Sequence, residues 1–135
     1  AFGEGNVEPG STLWERLKAA NLIRSEFDIP AAAEADTVHA RHLYTILLRL
    51  EELSAGRDTI QQALHEENIG TGIHFISLHL QPYYAERFGF SYGDYPNAAH
   101  VSQRTISLPL SAKLTDRDVD DVIEAVGRVL TKYKK

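Results

Sequence analysis

Apolar residues recur at helical spacing most clearly near the end of the chain, where Val119, Val122, Ile123, Val126, Val129 and Leu130 share one face over about four turns. Thr115 followed by Asp118 reads as a capping box at the start of this helix. A second pattern, Leu13, Leu17 and Ala20 after Thr12 and Glu15, predicts a helix ending near Ile23. A third puts Ile60, Ala63 and Leu64 on one face of a helix opened by Asp58 and Gln61 and stopped between Asn68 and Gly70. Pro82 suits the first turn of a short helix ending at Gly89. The run GDYPNAAHVSQR predicts a loop and another brief helix, and an alanine-rich turn or short helix is expected after Pro30.

Three stretches have strand character. TVHARHLYTILLRL, with its β-branched and aromatic content, reads as a central strand, and Gly72 to Leu80 as the next. In TISLPL, Ile106, Leu108 and Leu110 share one face, and Pro109 marks an end or an edge. The sum is an α+β domain: a short antiparallel sheet with helices packed on one side. No internal repeat is visible.

A chain of 135 residues is about one domain long and buries enough surface for a real core. The longest apolar runs, such as Leu43 to Leu48, are far too short to span a bilayer, and the opening AFGEGNVEPG has neither the basic nor the apolar stretch of a signal peptide. With no cysteine there is no disulfide framework or thiolate metal site, and a cytoplasmic setting is expected. A formal net charge of −5 argues against nucleic acid as the main partner. Lys132, Lys134 and Lys135 match the negative end of the last helix's dipole, as Asp116, Asp118, Asp120 and Asp121 match its positive end. They read as a solvated helix end rather than a binding patch.

Six histidines raise the question of a metal. On a regular strand His74 and His79 point to opposite faces, as do His39 and His42, and no His-Glu-x-x-His run is present. No serine sits in a Gly-x-Ser-x-Gly elbow, and there is no phosphate-binding loop or dinucleotide fingerprint. The chain lacks a self-contained active site. What remains is a group of polar residues, His74, His79, Gln81, Tyr83, Tyr84 and Arg104, crowded at strand ends.

Three motifs in order carry a resemblance: His74-Phe75-Ile76-Ser77-Leu78-His79-Leu80-Gln81-Pro82-Tyr83-Tyr84, then Ser102-Gln103-Arg104-Thr105-Ile106-Ser107-Leu108-Pro109-Leu110, then Leu114-Thr115-Asp116-Arg117-Asp118-Val119. With His42-Leu43-Tyr44 upstream, they resemble the C-terminal part of the DegT/DnrJ/StrS sugar aminotransferases, which depend on pyridoxal phosphate (PLP). Ser77 stands where that family commonly has proline. The resemblance implies the aspartate aminotransferase-like fold, with residues 37–135 as its small C-terminal domain and residues 1–36 a poorly matching helix and connector. It further implies an absent large domain that holds PLP on a lysine and pairs an aspartate with the pyridine nitrogen. An amino group, usually from glutamate, would pass there to a keto sugar carried on a nucleotide. Gly3-Glu4-Gly5-Asn6 matches three of four residues after that family lysine, but no lysine precedes it and the match reads as chance.

By the same resemblance, substrate contacts fall on His74 and Phe75 at a strand end lining the cleft, and on His79, Gln81 and Tyr83 in the turn that follows. Arg104 would contact an anion or bond nearby backbone carbonyls. No catalytic, cofactor-binding or metal residue is expected in this chain, which is therefore expected to be inactive by itself. Its partners would be the large PLP-binding domain of the same polypeptide, a second subunit in a homodimer, and the nucleotide sugar. Two rivals stand beside this reading: a stand-alone binding or oligomerisation module that kept the fold, and a PLP-dependent sugar dehydratase of the same family.

Overall fold

Strand β2, Tyr44–Leu48, lies between β1, Phe27–Asp28, and β3, Thr105–Leu108, in an antiparallel sheet ordered β1-β2-β3. This computed structural model describes residues 27–28, 35–38 and 42–135. The helix expected from Thr12 to Ile23 and the turn after Pro30 lie outside them. Burial alternates along β2: Tyr44, Ile46 and Leu48 are buried, while Thr45 and Leu47 are half-buried on the other face. Between β2 and β3, Ile46 meets Ile106 and Tyr44 meets Leu108, so the apolar side chains of both strands share one face.

Helices α1, Arg57–Glu66, and α4, Asp116–Tyr133, cover that face. α1 contributes Ile60, Ala63 and Leu64, and α4 contributes Val119, Val122, Val126, Val129 and Leu130, as their spacing predicts, together with Ala125, while Ile123 is only half-buried. Thr115 caps α4 as expected: its hydroxyl accepts from the Asp118 amide at 3.3 Å, and the Asp118 carboxylate accepts from the Thr115 amide at 2.7 Å. α1 is capped two residues earlier than expected. Gly56 is its N-cap, and Asp58 sits within the first turn bonded to Arg57. Lys135 is more than a solvated end, because its amine donates to the Glu51 carbonyl at 2.8 Å and closes the helix end onto the turn at Leu50–Glu52.

Gly72 to Leu80 is not a strand. Gly72 makes a single bridge to Ser107, through backbone bonds of 3.0 and 2.8 Å, and the chain then leaves the sheet for a 3₁₀ turn at Leu78–Leu80. Phe75, Ile76 and Leu78 are exposed, and the Ser77 hydroxyl donates to the Ala98 carbonyl at 2.7 Å instead of extending a ladder. The central strand is also shorter than TVHARHLYTILLRL suggests, since 42–43 lack strand geometry and Leu50–Glu52 turn away. Two short helices follow as expected, α2, Pro82–Phe88, ended by Gly89 at φ 71°, and α3, Pro96–Ser102. α3 stands over the second face of the sheet, so the helices do not all lie on one side.

Two substitutions test this scaffold by urea unfolding. Ile106→Ala, at a fully buried position, is expected to cost about 2–5 kcal/mol, and Thr115→Ala about 1 kcal/mol. Hydrogen bonds from Thr115, side chain first and backbone second, hold the Asp118 carboxyl below its ordinary range. That contribution is complete above the unfolded carboxylate pKa and is lost as pH falls through the folded one. The gap between wild type and Thr115→Ala should therefore narrow in acid.

Candidate functional site

The face of the sheet turned away from the core borders an open cleft of about 800 Å³, bounded by β2, the segment after Gly72 and α3. Leu47, Phe75 and Val101 give it apolar walls, and Thr45, His74 and Asn97 are polar points on them. His74 is half-buried, with Nε2 2.7 Å from the Ser107 hydroxyl. Phe75 is 94% exposed at the rim. Asp28 closes one end, paired with Arg49, whose hydrogen bond is the main reason its carboxyl stays below the usual range.

The six residues singled out in the sequence divide into three groups. His74 and Phe75 line the cleft together. His79, Gln81 and Tyr83 lie beyond it: His79 is buried with its ring 5.0 Å from that of Tyr95, Gln81 is the N-cap of α2, and Tyr83 is exposed and edge-on to Tyr84. Arg104 is outside the lining. It pairs with Glu51 at 2.9 Å and donates to the Leu48 carbonyl at 3.4 Å and to His100 Nδ1 at 3.2 Å. Since Gly72 to Leu80 is not a strand, parity does not govern His74 and His79, but the two rings occupy different surroundings. Among the described residues, no three His, Asp or Glu side chains gather to hold an ion, and no helix is long and apolar enough to cross a membrane.

Sequence reasoning missed Ser107, Thr45 and Asn97. The signal for Ser107 was its place between Ile106 and Leu108, which assigns its side chain to the face opposite the core. Asn97 had no such signal, because α3 is too short to show a periodic face.

Residues 11–127 match the sequence profile of the DegT/DnrJ/EryC1/StrS aminotransferase family. The chain belongs to this family. The match begins 26 residues before position 37. The chain is 50% identical over 98 residues to the spore coat polysaccharide biosynthesis protein SpsC of Bacillus subtilis, covering 70% of this chain and 25% of SpsC. It is 39% identical over 124 residues to the uncharacterised protein MJ1066 of Methanocaldococcus jannaschii, covering 88% of this chain and 32% of MJ1066. It thus spans a quarter to a third of the length of these curated relatives. Among solved structures, the PMP form of Spr1654 from Streptococcus pneumoniae, a candidate sugar aminotransferase, superposes with a TM-score of 0.73 at 30% identity, over 89% of this chain and 30% of that one. The α+β domain is therefore part of a PLP-transferase fold.

The family and the PMP and PLP forms of Spr1654 imply PLP as cofactor of the parent enzyme. The described cleft does not fit that group. No lysine lines it: Lys113, Lys132 and Lys134 are exposed elsewhere, and Lys135 is bonded to backbone at the end of α4. Mixed with PLP and reduced with borohydride, the chain is expected to show scattered, substoichiometric labelling by mass spectrometry. Stoichiometric labelling of Lys113, Lys132, Lys134 or Lys135 would contradict this geometry.

Proposed function

We propose that this chain is the small C-terminal domain, residues 37–135, of a PLP-dependent aminotransferase that moves an amino group from an amino acid, glutamate in the usual case, to a keto sugar carried on a nucleotide. Family membership and the likeness to SpsC, named for spore coat polysaccharide biosynthesis, support a role in polysaccharide or modified-sugar synthesis. The observation that carries the reading to particular residues is His74: the leading histidine of the first motif borders the cleft and is anchored by Ser107. In this reading His74 positions the sugar, Phe75 packs on it, and the cofactor and its lysine belong to the large domain.

The surface fits a domain that is normally covered. Among the described residues, nine of the eleven exposed large hydrophobic side chains fall between Ile73 and Val101, including Phe75, Ile76, Leu78, Tyr83 and Phe88. An apolar surface of this kind is usually an interface. We assign it to the large domain of the same polypeptide and a second subunit of a homodimer. The cysteine-free composition fits the reducing cytoplasm.

In the full-length enzyme His74→Ala is expected to lower kcat/KM by roughly 10- to 100-fold, about 1.5–3 kcal/mol for one hydrogen bond to a strongly polar group, with PLP binding retained. His65→Ala, at an exposed histidine bonded to Thr71, is the control and should leave turnover unchanged. Equal losses in both variants, or none in either, would remove His74 from the site. The isolated chain should self-associate in a light-scattering dilution series, and a monomer at high concentration would contradict the covered-surface reading.

A further inference from the structure

Ser107 is the one hydrogen-bonding contact between the first two sequence motifs at the cleft, and its geometry constrains what His74 can offer. Its backbone is fixed twice over, by the β2 register opposite Thr45 and by the two bonds to Gly72. Two residues beyond Gly72, the His74 ring returns to the same serine, 33 positions away in sequence, at 2.7 Å. Ser107 is not part of the cleft lining, so it stands behind His74 and acts on the cleft through it.

A neutral imidazole carries one N–H and one bare nitrogen, and whatever bonds one nitrogen decides what the other presents. The Nε2 atom is already engaged by Ser107. Were Nε2–H to donate, the hydroxyl hydrogen would be left to solvent at a half-buried position, since Ser107 Oγ has no second acceptor among the described residues. The opposite direction satisfies both groups with one bond.

We propose that Ser107 is a positioning residue: its hydroxyl donates to Nε2 of His74, so that the ring proton sits on Nδ1 and is presented to the cleft as a donor for an acceptor oxygen. A sugar hydroxyl or carbonyl oxygen is the ligand chemistry this suits. That last step rests on the substrate reading above, whereas the tautomer does not. The contact makes His74 a directional donor and disfavours ligands that present a hydrogen at that point.

The test is long-range ¹H–¹⁵N spectroscopy of the imidazoles in the chain, with His74→Gln identifying the His74 signals. A pyrrole-type Nδ1 and pyridine-type Nε2 are expected in the wild type. Ser107→Ala should transfer the proton toward Nε2, and Ser107→Thr, which keeps the hydroxyl, should restore the original pattern. A pyrrole-type Nε2 in the wild type would overturn the proposal. So would a pattern unmoved by Ser107→Ala in a variant whose amide spectrum shows it folded. If Ser107→Ala unfolds the chain, Ser107→Thr and the wild-type tautomer still decide. In the full-length enzyme Ser107→Ala should lower kcat/KM about 10-fold with rescue by Ser107→Thr. A tautomer that follows Ser107 in an enzyme indifferent to His74→Ala would uphold the contact and remove the substrate reading.

Discussion

The register of β2 against β3 is the constraint on which the rest of the domain depends. With Ile46 opposite Ile106 and Tyr44 opposite Leu108, one face of the sheet is continuous apolar surface, while on the other face Thr45 lines the cleft and Ser107 stands behind His74. A slip of one residue would turn Tyr44, Ile46 and Leu48 toward the cleft and Thr45 into the core. α1 and α4 make such a slip costly by sealing the apolar face. The far end of α4 is tied back across the sequence, with the Ser54 amide and hydroxyl both donating to the Tyr133 carbonyl and Leu53 bridging Lys134. Surface pairs such as Arg128 with Glu67, 2.8 Å apart, add little by comparison.

The same core has a clear limit. Between Ile69 and Ile106 no residue joins it, although this stretch carries the whole of the first motif. The stretch has its own small aromatic cluster instead, running from Tyr84 through Phe88 and Phe90 to Tyr95 and the buried ring of His79. It meets the scaffold at hydrogen bonds that include Gly72 and the His74 ring with Ser107, Thr105 with the Val101 carbonyl, and the Arg57 guanidinium with the Ser102 carbonyl. Few buried apolar contacts mean a lower local opening free energy than in the sheet and α4. In the proposed enzyme, the large domain that covers these side chains would also hold them in place, so substrate contact and interdomain docking would share one segment.

Most of the scaffold was legible in the sequence. The capping box at Thr115, the spacing of Val119 to Leu130, and the alternation of Ile106 and Leu108 are local signals that tertiary packing reinforces. The strand expected from Gly72 to Leu80 shows where local signals mislead. Alternating apolar residues predict a half-buried strand, yet Phe75, Ile76 and Leu78 are exposed, because after the single bridge at Gly72 the chain leaves the sheet for the 3₁₀ turn. At the site, the motifs singled out His74 and Phe75, and both line the described cleft. They could not separate Arg104, which is taken up by Glu51 and the Leu48 carbonyl, from a residue free to bind an anion. Nor could they reveal the Ser107 contact, which depends on Gly72 bridging to β3 and is set by the fold alone.

Ser77 shows how a departure from the family motif can be absorbed. Where proline is common, this chain has a serine with φ −49° and ψ 132°, close to the backbone that proline imposes, at the entry to the 3₁₀ turn Leu78–Leu80. Proline would fix that bend by restricting the unfolded chain, and serine gives up this restriction. In return its hydroxyl reaches the Ala98 carbonyl at 2.7 Å, a bond proline cannot make, which ties the segment carrying His74 to α3 across the cleft. The two residues reach the same bend by different means, one through backbone entropy and one through a tertiary hydrogen bond of about 1 kcal/mol. With serine, the segment that carries His74 is therefore hydrogen-bonded to α3 by a side chain.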